Sequence, residues 1–392
     1  MILSLAVIIT LGLIFNKLFK SIKLPGLLGM LILGIIVGPN MLNLISNDIL
    51  TISPDLRKIA LIVILLRAGL GINRSTLKKV GKTALKMSFL PCVIEGFTIA
   101  FVSKYILNIS FIEAGMLGFI IAAVSPAVVV PQMLELINKG KGRENGVPTI
   151  ILAASSIDDV FAITIFSTFL GLYGGSNISI SGKLLSIPIS ILLGGGIGIL
   201  IALLLIGIFK KFHLRDTEKT LIILASGMFL TSLEDIFKNI VSIASLLGVM
   251  AVGFILLDKY PKVANRISEK FNKVWVFAEI LLFVLVGAQV DVKVIVHSGL
   301  LGLLVLFIGL VARSIGVYIS LMGSNLNFKE KIFCIISFMP KATVQAAMGA
   351  VPLASGVASG NLILAIAVLS IIVTAPLGAV GIKYYGDRKS VV

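Results

Sequence analysis

One apolar run after another, divided by short charged connections, fills almost the whole chain. The runs lie at approximately 2–16, 24–42, 57–72, 83–106, 111–137, 147–173, 184–209, 219–232, 237–257, 274–290, 294–322, 330–355 and 362–383. About 20 apolar residues in a helix cross a hydrocarbon core, and only helices or closed barrels keep their backbone groups bonded there. The pattern therefore predicts an all-α polytopic membrane protein with 13 transmembrane helices. Composition agrees, with 58% hydrophobic and 13% charged residues, where soluble domains carry roughly a quarter charged. Met1-Ile-Leu-Ser-Leu has no basic stretch before it and no small-residue cleavage site after it, so it reads as the first helix and not as a removable signal.

The net charge of +16 is a topology signal. Alternate connections hold 24 basic residues, from Lys17, Lys20 and Lys23 through Arg74, Lys78, Lys79 and Lys82 to Lys383, Arg388 and Lys389. The other connections hold six: Arg57, Lys58, Lys104, Lys183, Lys238 and Lys293. The positive-inside rule places the first set in the cytoplasm, so the N-terminus is outside and the C-terminus inside, in a cell membrane. This distribution leaves no support for nucleic acid as a partner and makes contact with anionic lipid headgroups a secondary effect. Cys92 and Cys334 fall inside apolar runs, and His213 and His297 are the only histidines. No disulfide framework, resident metal cluster or cofactor is implied.

Asp158 and Asp159 stand midway along the run from Val147 to Tyr173. A charge at the bilayer midplane costs at least about 2.5 kcal/mol and marks an ion or proton pathway by default; the bland alternative is a protonated pair hydrogen-bonded inside a bundle. Adjacent residues on a helix point about 100° apart, so one carboxylate can face a cavity while its neighbour anchors to another helix. A carboxylate there is neutralised by a proton or by a hard cation such as Na⁺ or Li⁺, and the two exclude each other. Carbonyls freed around Pro126 and the hydroxyls of Ser125, Ser155 and Ser156 are available to complete a cation shell.

Thirteen segments divide as six, one and six, and an odd helix between two six-helix units inverts the second unit. Ser125-Pro-Ala-Val-Val-Val-Pro131 in the fifth segment is matched by Met339-Pro-Lys-Ala-Thr-Val-Gln345 in the corresponding segment of the second unit. Proline inside a helix forces a break, and paired broken helices point to a midplane site in a secondary transporter. Glu95 and Arg313 stand at matching places in the fourth segments. Glu95, Glu279, Arg313 and Lys341 sum to zero charge and read as a structural network bracing the two halves, whereas Arg67 snorkels toward the cytoplasmic face. The segments group as 1–82, 83–173, 184–209 as the linker helix carrying Gly194-Gly-Gly-Ile-Gly198, 219–290 and 294–384. Lys139-Gly-Lys-Gly-Arg-Glu-Asn-Gly146 lacks the ending of a phosphate loop and reads as a turn.

Arg67-Ala-Gly-Leu-Gly71, Pro91-Cys-Val-Ile-Glu95, Ala123-Val-Ser-Pro126, Asp158-Asp159, Glu330-Lys331-Ile-Phe333 and Met339-Pro-Lys-Ala-Thr-Val-Gln-Ala346 together resemble the cation/proton antiporters. The likeness is strongest to the sodium/hydrogen exchanger 9B branch and its bacterial relatives, and it covers nearly the whole chain. It implies Asp159 as the cation and proton carrier supported by Asp158, a Glu95–Arg313 pair, crossed broken helices, a homodimer with dimer-domain helices in 1–82 and 219–290, and an elevator-like movement of a core formed by 83–173 and 294–384. Electrogenic members carry lysine where this chain has Arg313, which leads to an expectation of electroneutral exchange. Two other functions compete. A sodium-coupled organic-anion symporter on the same fold needs a larger polar cavity. An intramembrane aspartyl protease needs one aspartate from each of two helices, and here both lie on one.

Overall fold

The computed structural model describes residues 1–22, 24–71, 74–142, 145–173, 180–237 and 243–386. Lys23, Arg143, Lys238, Arg388 and Lys389 lie outside the described residues, as do the side chains of Lys78, Lys79, Lys82, Ser156, Lys183 and His297. Among the described residues every regular element is a helix. In order they are α1 (Ile2–Ser21), α2 (Gly26–Val37), α3 (Asn47–Gly71), α4 (Arg74–Ile106), α5 (Phe111–Ala122), α6 (Pro126–Asn138), α7 (Val147–Tyr173) and α8 (Ile180–Lys211). The second half continues with α9 (Asp216–Phe237), α10 (Ser245–Lys259), α11 (Pro261–Ala288), α12 (Val292–Ser320), α13 (Phe328–Ser337), α14 (Thr343–Met348), α15 (Val351–Ala354) and α16 (Gly360–Gly386). Seven described helices are long and apolar enough to cross a membrane, and shorter apolar ones accompany them.

Two runs that are continuous by hydropathy are interrupted. The run 111–137 stops at Ala122 and restarts at Pro126, and the run 330–355 stops at Ser337 and restarts at Thr343. Proline disfavours helical backbone in the residue before it, and Ser125 is extended at φ −91°, ψ 107°. Pro126 then takes the first helical position, where its missing N–H costs nothing. Both interrupted runs open on the same device, an N-terminal residue and a glutamate three positions on that cap each other. At α5, Ser110 N–H donates to Glu113 Oε2 at 3.0 Å and Glu113 N–H to Ser110 Oγ at 3.3 Å. At α13, Asn327 N–H donates to Glu330 Oε2 at 2.7 Å and Glu330 N–H to Asn327 Oδ1 at 2.9 Å.

The chain divides into two compact units, Met1–Pro54 with Lys79–Tyr173 and Ile280–Val392, and Asp55–Lys78 with Gly174–Glu279. In the first, α5 is buried on all sides from Glu113 to Ala122, as a helix apolar all round must be. It packs closely on α4, where a Cβ on Gly118 would stand 2.2 Å from Gly96 O; only glycine permits that spacing. Phe119 meets Phe97 edge-on at 5.1 Å and stacks on Phe169 at 5.8 Å, fixing α4, α5 and α7 together. In the second unit, Gly194 and Gly198 let α8 approach the backbone of Ala244 and Gly248. Arg67 does not simply reach toward the headgroups: its Nε donates to Asn272 Oδ1 at 2.9 Å and its guanidinium lies 5.2 Å from the Trp275 ring centre. A hydrogen bond plus cation–π contact on α11 holds it where snorkelling was expected.

Candidate functional site

The interruption between α5 and α6 leaves backbone groups without helical partners, and side chains of α7 and of the chain's last third take them up. Asp158, fully buried on α7, accepts from Val124 N–H through Oδ2 at 2.8 Å. It also faces Arg313 Nη2, at 3.1 Å from Oδ1 and 3.2 Å from Oδ2. Asp158 is therefore the anchored member of the pair. Asp159 is 7% exposed and its Oδ1 accepts no hydrogen bond among the described residues.

Arg313 is the hub of the site. Its Nη1 donates to Glu95 Oε2 at 2.7 Å and also to Ala122 O, and its Nε donates to Phe338 O at 2.5 Å. With the two Asp158 oxygens that makes five acceptors for the five N–H groups of a guanidinium, while the charge sits 5.3 Å from the Phe338 ring centre. Lys341 Nζ donates to the same Glu95 oxygen at 2.7 Å, and its backbone N–H to Thr374 Oγ1 at 2.8 Å. Ser125 N–H donates to Pro340 O at 2.8 Å, so the two interrupted runs touch at their breaks.

The structure thus gathers Glu95, Asp158, Arg313 and Lys341, two carboxylates and two cations, all buried. Asp158 takes the place that the sequence reading gave to Glu279, which belongs to the second unit and acts electrostatically on Arg67. The four compensate one another, as buried charges must. Among the described residues, Asp159 is left as a further carboxylate beside this neutral cluster. Ser155, one turn before Asp159 and buried, donates to Leu152 O at 3.2 Å. The hydroxyl of Ser125, and those of Ser337 and Thr343 that the sequence reading passed over, are buried oxygens with no hydrogen-bond partner among the described residues. Another residue passed over is Gln345, whose Nε2 donates to Ile120 O and Ala123 O at 2.9 Å and to Ile121 O at 3.3 Å. A buried amide three residues into a helix that follows a proline break was the available signal. No group of three or more His, Cys, Asp or Glu that could hold a resident metal occurs among the described residues.

Interrupted apolar helices around a neutral charge cluster and one further carboxylate define a multi-pass integral membrane protein of the ion-transport class. Comparison with known proteins makes this specific. The family described as sodium/hydrogen exchanger, transmembrane, matches residues 4–385, and the chain belongs to that family. It is 32% identical to sodium/hydrogen exchanger 9B2 of Homo sapiens, over 96% of this chain and 73% of that protein. It is 35% identical to the 9B2 protein of Xenopus tropicalis (95% and 72%) and 32% identical to the 9B1 protein of Macaca fascicularis (98% and 78%). Its fold is similar to that of the sodium proton antiporter MjNhaP1 from Methanocaldococcus jannaschii, with TM-score 0.79, 24% identity and coverage of 96% and 94%.

Proposed function

We propose that the chain exchanges Na⁺ or Li⁺ for H⁺ by alternating access, with Asp159 as the carrier of both. The observation that carries this reading is the division of labour within the pair: Asp158 is bonded to Val124 and Arg313, whereas Asp159 Oδ1 has no donor among the described residues. A carboxylate beside a neutral cluster requires one positive charge, and a proton and a cation compete to supply it. Ser125 with Pro126 and Ser155 with Ser156 are the proposed contributors to the cation's oxygen shell, with Glu95, Arg313 and Lys341 as supporting charges.

The exchange is proposed to be electroneutral. Arg313 stays protonated throughout, which leaves proton traffic to the carboxylates, and one proton for one cation at Asp159 moves no net charge. The helices of 83–173 and 294–384 are proposed as the moving core. The bonds that Arg313, Lys341 and Gln345 make across them support treating them as one body. Their inverted relation finds support in the two matching capping boxes and the two breaks. The homodimer, its helices in 1–82 and 219–290, the outside N-terminus and the contact with anionic lipid are inferred from the family likeness and the charge distribution.

Reconstituted protein tests the reading. A sodium gradient should drive proton movement in wild-type proteoliposomes and none in Asp159→Asn, with no sustained current on a solid-supported membrane. Retained exchange in Asp159→Asn would overturn the carrier assignment. A sustained current that Asp159→Asn abolishes would overturn electroneutrality.

A further inference from the structure

A helix end leaves its last carbonyls without main-chain donors. At the end of α5, four consecutive carbonyls receive side-chain donors from the second half of the chain: Ile120, Ile121 and Ala123 from Gln345, and Ala122 from Arg313. Gln345 offers two N–H groups to three oxygens, at 2.9, 3.3 and 2.9 Å, so Ile120 and Ala123 hold the direct bonds and Ile121 shares. The amide has only this orientation available, because reversing it would aim an oxygen at three oxygens. Its Oε1 consequently faces away and accepts no hydrogen bond among the described residues.

Ala123 C=O and Val124 N–H belong to one planar peptide unit. Gln345 holds the carbonyl edge of that plane at 2.9 Å and Asp158 holds the amide edge at 2.8 Å. If the plane turns, Asp158 loses its backbone donor and a hard carbonyl oxygen is released two residues before Ser125. We propose that Gln345 is a positioning residue that locks the Ala123–Val124 peptide plane and through it sets cation affinity and Na⁺/Li⁺ discrimination at Asp159. Discrimination between hard cations depends on the number, placement and stiffness of the oxygens around them. Gln345 fixes all three: it withholds the Ile120 and Ala123 carbonyls, and it keeps Asp158 in register with its neighbour. The inference rests on the antiport reading of Asp159.

The test is the apparent KM for Na⁺ and for Li⁺ in proteoliposomes, for wild type, Gln345→Met and Gln345→Asn. KM does not depend on how much of the protein is active, so partial loss of folded material does not obscure it. Gln345→Met keeps the side chain's length without a donor, and should shift the ratio of the two KM values by about fivefold or more, the scale of one net hydrogen bond. Gln345→Asn retains the amide one methylene shorter and should lie between. An unchanged ratio in Gln345→Met, or a fall in maximal rate alone, would overturn the proposal. Failure of both variants to elute as folded protein would make Gln345 a folding residue and overturn it equally. Absence of exchange in the wild type would instead refute the antiport reading beneath it.

Discussion

Removal of Glu95, of Arg313 and of both distinguishes a mutually compensating cluster from a set of independent contacts. Arg313→Met leaves Glu95, Asp158 and Lys341, a net negative cluster, and strips donors from Ala122 O and Phe338 O. Glu95→Gln leaves Arg313 and Lys341 against Asp158 alone, a net positive one. Each breaks a fully buried pair whose N–O distance is 2.7 Å, and each should cost about 3 to 5 kcal/mol. The double variant leaves Asp158 and Lys341, neutral again, so it should cost about as much as one single change, giving a coupling of about 3 kcal/mol. Arg313→Lys is a sharper probe within the same site. A lysine offers three N–H groups where Arg313 serves five oxygens, leaving at least two acceptors unserved at about 1 to 3 kcal/mol each. Thermal unfolding in one detergent under one salt condition reads all four variants. Single losses that add to within about 0.5 kcal/mol in the double variant would show that Glu95 and Arg313 do not compensate each other.

Glu330→Ala should destabilise by about 1 kcal/mol or somewhat more. It removes the glutamate half of the α13 capping box, the acceptor of Asn327 N–H, and also frees Asn145 Nδ2, which donates to both Glu330 oxygens at 2.9 and 3.1 Å; thermal unfolding indistinguishable from wild type would refute this. Gly118→Ala should disrupt the α4–α5 approach, because the new Cβ meets backbone at 2.2 Å and not a flexible side chain, and it is checked by loss of monodisperse protein on gel filtration. The Arg266 guanidinium, which donates to both Asp216 oxygens, holds that carboxyl below its usual value. Its stabilisation is therefore fully present above the unfolded carboxyl value of about 3.9 and is lost as pH falls through the lower folded one. Because solvent screens the exposed Arg266 guanidinium, the unfolding difference between wild type and Asp216→Asn should be small at neutral pH and vanish under acid.

Much of the fold was legible because hydropathy and proline act locally. The runs around α4, α7, α11, α12 and α16 are visible as unbroken apolar stretches, and Ser125-Pro126 and Met339-Pro340 mark the places where helix geometry fails. The aspartate pair stood out because charge in an apolar run has few explanations. What the sequence left hidden was partnership. Nothing local separates Glu279 from Asp158 as the fourth member of the network with Glu95, Arg313 and Lys341, since either balances the charge; the 3.1 Å separation of Asp158 from Arg313 across the fold is not visible in the sequence. The contacts of Arg67 were hidden for the same reason, because Asn272 and Trp275 lie about 200 residues further along the chain. Gln345 was quoted within a motif and given no role, because an amide's importance comes from the carbonyls it meets.

The neutral cluster has a consequence for transport that follows from charge alone. On the proposed assignment of Asp159 as carrier, and with Glu95, Asp158, Arg313 and Lys341 cancelling, the site carries one negative charge when Asp159 is empty and none when it holds either a proton or a monovalent cation. Moving an uncompensated charge through a low-dielectric barrier is expensive, so the loaded site crosses readily in both forms and the empty one does not. Under that proposal, obligatory exchange needs no separate gate to prevent uncoupled return. Replacing Arg313 by a neutral residue would leave the loaded site negatively charged in both forms. Such a variant should lose maximal exchange rate far more than cation affinity, even where it folds. A variant of that kind that exchanges at the wild-type rate would show that net charge at the site does not govern which forms cross.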